Sequence, residues 1–266
     1  MEYDFCVMRK ELKLRNYSEK TVKAYLYHNM KFLEWSNKSL REVNQKDLEN
    51  YLLYKSSLDA HSRHLITASL RFYYCEILKR RFRWVYPKRE KHLPLVLSKE
   101  EILRMIDVTN NLKHKLMIEL LYSSGLRVSE LVKVKNEDIN VEEKIIMIRE
   151  GKGRKDRLVI LSEKFLQDYK KFNQNNKYLF YSERDCKKDV SIRTVQKIIK
   201  NAAKKACVRN VYCHALRASF ATHLLENNTD IYSIQKLLGH SSVKTTQGYI
   251  RTKTDFLKKI KSPLDC

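Results

Sequence analysis

The chain has 266 residues, 43% of them hydrophobic, and carries 54 Lys+Arg against 31 Asp+Glu, a formal charge of +23. That length suits one large domain or two modest ones, and the apolar share supports packed cores rather than a disordered tail. The charge points toward nucleic acid, with a lysine-rich soluble surface as the plain alternative. Residues 1–97 hold 20 basic and 11 acidic groups, so the remainder is also basic. Six cysteines at 6, 75, 186, 207, 213 and 266 show no CxxC spacing. This speaks against a zinc site or disulfide framework and suits a reducing cytoplasm. The charged opening MEYDFCVMRK is unlike a signal peptide, and no apolar run reaches membrane-spanning length.

Residues 1–84 read as helices with no strand signal. The first covers roughly Asp4–Leu14. Ser18 then caps a long amphipathic run whose apolar set is Val22, Tyr25, Leu26, Phe32, Leu33 and Trp35. A shorter helix spans Asp47–Tyr54, and a long one His61–Leu78 ends in the basic cluster KRRFR. Arg63, Arg71, Lys79 and Arg80 are either phosphate contacts or part of a solvated face. Residues 85–97, VYPKREKHLPLVL, hold two of the three prolines and four charged residues, the composition of a linker. Ser98 and Glu101 then fit a capping box that opens a second domain.

That domain begins with helices near 99–108 and 112–124, in which Leu116, Ile118, Leu120 and Leu121 read as core. Gly125 ends the second, and Arg127–Val134 reads as another, with Glu130 placed to brace Arg127 or to stand as a surface charge. The period then changes. KIIMIRE (144–150) and DRLVIL (156–161) alternate around GKGRK (151–155), the pattern of a hairpin. The Walker spacing GxxxxGK[ST] is absent and a strand follows instead of a helix, so this is not an ATP loop. Helices follow at about 162–172 and from an N-cap at Ser191 to Cys207. Arg193, Lys197, Lys200 and Lys204 form a basic stripe along the latter.

The segment from His214 to Tyr249 concentrates the reactive side chains. His214 and Arg217 are three apart and share a helix face. IYSIQKLL (231–238) ends at Gly239, a suitable helix C′ residue, and His240 follows at once. Tyr249 comes nine residues later, and His223 and Tyr232 read as structural. A free tyrosine is only about one part in a thousand phenolate at pH 7, so a nucleophilic one needs a base or dense positive charge beside it. A phosphodiester under attack gathers charge on its non-bridging oxygens, which an arginine fork matches. Arg217 and Arg127 can form that clamp, and Lys152 in the hairpin turn can protonate a leaving oxygen.

Together GLRVSEL, GKGRK, HALRASFATHLL, LGHSSVKTTQGY and the closing SPLD resemble the tyrosine recombinase (phage-integrase) family, and within it the Xer-like branch. The resemblance is strong from about Leu93 onward and looser before. It implies a mainly α chain with a small β-hairpin or sheet (α+β): a helical DNA-binding domain over 1–84, a linker over 85–97 and a catalytic domain over 98–266 with a tail helix at 253–262. It assigns the catalytic set to Arg127, Lys152, His214, Arg217, His240 and the nucleophile Tyr249. Arg63, Arg71, Lys79, Arg80, Arg154, Arg193 and Lys197 are the expected DNA contacts. The implied activity is site-specific recombination through a 3′-phosphotyrosyl link, without metal or other cofactor, by a homotetramer on two DNA duplexes in the cytoplasm. A type IB-like topoisomerase, a non-catalytic DNA-binding relic and an RNA-processing nuclease are the rivals.

Overall fold

In the computed structural model, the described residues are 5–88, 94–149, 156–172, 176–209 and 211–239. Four helices build the first part of the chain: α1 (Cys6–Leu14), α2 (Glu19–Ser36), α3 (Gln45–Tyr54) and α4 (Ala60–Arg71). The starts of α2, α3 and α4 are set by side chains that satisfy the first free backbone N–H groups. Ser18 accepts from Thr21, Asn44 and Asp47 form a reciprocal capping box, and Asp59 accepts from His61 and Ser62. Val22, Tyr25, Phe32 and Leu33 of α2 are buried with Leu48 and Tyr51 of α3 and Ile66 and Leu70 of α4. Trp35 stays 39% exposed, stacked on Tyr54 at the rim rather than inside. Buried Asn29 ties α2 to α4 by donating to the carbonyls of Tyr25 and Ser69.

The helix expected to run on to Leu78 changes character after Arg71. Phe72–Ile77 forms a π-turn, with Leu78 N–H donating to the Tyr73 carbonyl five residues back. Phe72, Tyr73 and Tyr74 are all buried. An α-helix would swing one of three consecutive rings toward solvent, and the wider turn rotates less per residue.

The chain divides into two compact units, residues 1–92 and 93–266. The second opens with α5 (Lys99–Asp107), whose capping box joins Ser98 and Glu101. Next come α6 (Leu112–Ser123) and the short α7 (Val128–Leu131). Strands β1 (Ile139–Asn140), β2 (Ile145–Ile148) and β3 (Arg157–Ile160) make an antiparallel sheet in which Ile148 faces Arg157. After α8 (Glu163–Tyr169), β4 (Tyr181–Ser182) and β5 (Asp185–Asp189) form a second, two-stranded sheet. The chain continues through α9 (Ile192–Lys205), α10 (Cys213–Glu226) and α11 (Ile231–Leu238).

Helices α6 and α10 are apolar on nearly every side and are the buried centre of this unit. Leu116 through Leu121 of α6 and Ala215 through Thr222 of α10 are covered by neighbouring elements. Ser219 of α10 accepts the backbone N–H of Leu97, pinning the start of the unit to its central helix. The fold is mostly helical with small antiparallel sheets.

Candidate active site

Gly125 sits at φ +59, a left-handed turn that ends α6 and aims the next residues at a new helix. Arg127 then stands as the N-cap of α7. Glu130, three residues on, accepts the Arg127 backbone N–H at 2.8 Å and its Nη1 at 2.7 Å. The carboxylate therefore braces the guanidinium and caps the helix at once.

Arg217 arrives from the central helix α10 with its side chain 1% exposed. Its Nη1 donates to the Gly125 carbonyl and its Nη2 to the Leu238 carbonyl at 2.6 Å. The same Nη1 lies 3.9 Å from Glu130 Oε2. A third guanidinium, Arg157 of β3, donates Nη1 and Nη2 to the two Glu130 oxygens at 2.9 and 2.8 Å, and Nε to the Leu237 carbonyl at 2.8 Å. Arg127 Nη2 reaches the Gly239 carbonyl at 3.4 Å. Three successive carbonyls at the end of α11 thus each meet a different arginine. A helix C-terminus leaves such carbonyls without intrahelical donors and carries partial negative charge, which favours cations there.

Three positive groups surround one carboxylate. Burial alone would raise the Glu130 pKa, but hydrogen bonds from Arg157 and Arg127 and the charge of Arg157 hold it down at about 2. It is ionised at any working pH, and the cluster keeps an excess of two positive charges. His214, on the same helix as Arg217, has its imidazole pushed below the ordinary value by loss of solvation on its protein side, then by Arg217 and Arg127. Neutral imidazole has one nitrogen free to accept a proton.

Of the residues singled out from sequence, Arg127 and Arg217 come together at Glu130 and the end of α11. Lys152, Arg154, His240, Tyr249 and the tail at 253–262 lie outside the described residues. Arg193 and Lys197 are exposed on α9. In the first unit, Arg63 is half-buried and Arg71 is exposed beside the Tyr86 hydroxyl. Lys79 has φ +54, and Arg80 donates to the Leu40 carbonyl and lies over Phe82. His223 hydrogen-bonds the Tyr122 hydroxyl at 2.9 Å, which is a packing role. Among the described residues no three His, Cys, Asp or Glu side chains gather as metal ligands, and no helix is long and apolar enough to cross a membrane.

Arg157 is the member of the cluster that reading the sequence did not pick out. The signal lay in strand alternation: Arg157 shares a face with buried Val159 and Leu161, while Leu158 and Ile160 between them are exposed. An arginine on the inward face of an apolar strand needs a buried partner.

Residues 96–255 match the Phage integrase family, and residues 6–84 match its N-terminal SAM-like domain. The chain belongs to the tyrosine recombinase (phage integrase) family. Within that family it falls in the Xer-like branch. It is 37% identical over 261 residues to tyrosine recombinase XerA of Pyrococcus horikoshii, covering 93% of this chain and 88% of that one. A crystal structure of XerA recombinase matches with 31% identity over 94% of both chains at a TM-score of 0.58. In fold alone, the XerH site-specific recombinase bound to its palindromic difH substrate superposes at a TM-score of 0.74, with 23% identity, covering 92% of this chain and 80% of that one.

Proposed function

We propose that this chain is a site-specific DNA recombinase that cuts and rejoins DNA through a 3′-phosphotyrosyl intermediate. The observation that carries the reading is the cluster of Arg127, Arg157 and Arg217 around the single carboxylate of Glu130. Its excess positive charge, built on buried and braced side chains, suits a phosphodiester whose non-bridging oxygens gain charge during attack.

In this reading the phenolic oxygen of Tyr249 forms a bond to phosphorus as the bond to the 5′ oxygen breaks. Arg127 and Arg217 hold the non-bridging oxygens, with His240 assisting. His214 takes the tyrosine proton, and Lys152 supplies one to the departing 5′ oxygen. A 5′ hydroxyl from a partner strand then reverses the step. The ester energy is kept in the phosphotyrosyl bond, so neither ATP nor metal takes part.

Residues 1–84 serve as the DNA-binding domain, 85–97 as the linker and 98–266 as the catalytic domain. Arg63, Arg71, Lys79, Arg80, Arg154, Arg193 and Lys197 contact DNA, and the tail helix 253–262 joins protomers in a tetramer on two duplexes. The cellular setting is the cytoplasm, at the nucleoid. The role is chromosome-dimer resolution or integration and excision of a mobile element.

The test is to trap the covalent adduct on nicked DNA, map the modified residue and sequence the attached DNA. An adduct on Tyr249, absent in Tyr249→Phe with DNA binding intact, supports the reading. An adduct elsewhere, or none, defeats it. One chromosomal locus favours dimer resolution, and element ends favour integration. Relaxation of supercoils without strand exchange between duplexes would make the enzyme a topoisomerase.

A further inference from the structure

Arg157 lies at the first position of β3, on the strand face that also carries buried Val159. Its side chain is 9% exposed, too enclosed to serve mainly as a surface charge. One edge of the guanidinium spans both oxygens of Glu130, and Nε reaches the Leu237 carbonyl. Glu130 holds the Arg127 backbone and side chain, while the next two carbonyls, of Leu238 and Gly239, receive Arg217 and Arg127.

The end of α11 is shaped around the same side chain. A Cβ on Gly239 would fall 3.0 Å from Arg157 Cδ and 3.3 Å from Nε and Nη1. Gly239 also sits at φ +61, so the close approach and the left-handed turn coincide at one residue. Arg157 therefore grips the shared carboxylate with both terminal nitrogens and the helix end with its third.

We propose that Arg157 is a positioning residue for the strand-transfer site, fixing Glu130 and the end of α11 together so that Arg127 and Arg217 are held at one spacing. It does not touch the phosphate; it acts through the two arginines that do. This rests on the strand-transfer reading given above. A planar fork is required, because the ammonium of lysine is a single point and cannot hold two carboxylate oxygens and a carbonyl together.

The experiment compares full-length wild type, Arg157→Gln, Arg157→Lys and Arg127→Ala in single-turnover DNA cleavage, with DNA Kd and melting temperature measured alongside. Each is assayed on a normal phosphodiester and on a methylphosphonate, which lacks the non-bridging charge the arginines serve. Arg157→Gln is expected to slow cleavage of the normal substrate about 10²-fold, the scale of a misplaced reacting geometry, with Kd unchanged. Arg157→Lys should recover only part of the rate. On the methylphosphonate the Arg157 defect should shrink in the same proportion as that of Arg127→Ala.

An equal loss on both substrates, or full recovery with lysine, would make Arg157 a packing residue and overturn the proposal. Where Gln melts below the assay temperature, Arg157→Lys is read by the same comparison. If wild type forms no adduct, the strand-transfer reading itself falls. If wild type cleaves and the Arg157 variants match it, only the positioning role falls.

Discussion

The backbone of Gly125 runs so close to the ring of Phe220 that a Cβ there would stand 2.3 Å from Cδ1 and 2.7 Å from Cε1. Gly125 also holds φ +59, and its carbonyl receives Arg217. Gly125→Ala should thus cost roughly 2–4 kcal/mol, combining overpacking with left-handed strain. Chemical denaturation measures this. Measured on a Phe220→Ala background, the same glycine substitution should cost less, because the ring clash is gone while the backbone strain and the approach to Leu238 remain.

Arg127→Ala and Arg217→Ala are each expected to slow DNA cleavage by about 10²-fold or more, the scale of losing one preorganised donor to developing charge. Arg217→Ala should also lower the melting temperature, since it strips the donor from the Gly125 and Leu238 carbonyls in a buried place. Cleavage by either variant near the wild-type rate would remove that arginine from the clamp. Wild-type cleavage should persist in EDTA, and loss that added metal restores would point to another chemistry.

Glu119 on α6 is 3% exposed and faces Asp168 of α8; ionised, neither of its oxygens finds a donor among the described residues, whereas protonated it can donate to Asp168. Burial first, then the charge of Asp168, raises its pKa to about 7, while Lys115 and Lys164 pull the other way. A carboxyl raised in the folded state contributes its full stability below the ordinary value near 4.5, and that contribution drains away as pH rises to about 7. Melting temperature should therefore fall across this window. Glu119→Gln should flatten that slope and melt higher than wild type at pH 8, by about 2–4 °C for each kcal/mol relieved. Identical pH profiles for the two proteins would refute the account.

DNA affinity should fall steeply with salt. If six or more phosphates are neutralised, the slope of log K against log salt is about −5 or steeper. Fluorescence anisotropy between low and physiological salt reads it directly. A nearly flat line would contradict the proposal that a chain of charge +23 engages the DNA backbone through both units.

What could be read from residue order was local. Ser18, Ser98 with Glu101, and Gly239 mark helix ends within a few residues, and all three act there. Glu130 could be offered as a brace because it is only three residues from Arg127. The π-turn at Phe72–Ile77 escaped because an aromatic run has the same letters whether its helix is tight or wide. The pair β4 and β5 escaped because DCKKD has no apolar alternation to announce a strand. Periodicity places Trp35 inward, but it fixes a face and not how far the neighbouring elements extend over it. Arg157 was hidden for the deeper reason that its partners stand 27 and 80 residues away.

Those separations also bear on when the cluster comes into being. Arg127 meets Gly239 across 112 residues, and Gly125 meets Arg217 across 92. Contacts this distant form only after the intervening chain has been ordered. On a ribosome, which releases the chain from its N-terminus, Arg127 and Glu130 emerge early and can pair alone. Arg217 and the carbonyls of Leu237, Leu238 and Gly239 arrive much later. A nascent polypeptide therefore displays its basic helices well before it can hold the three guanidiniums in place.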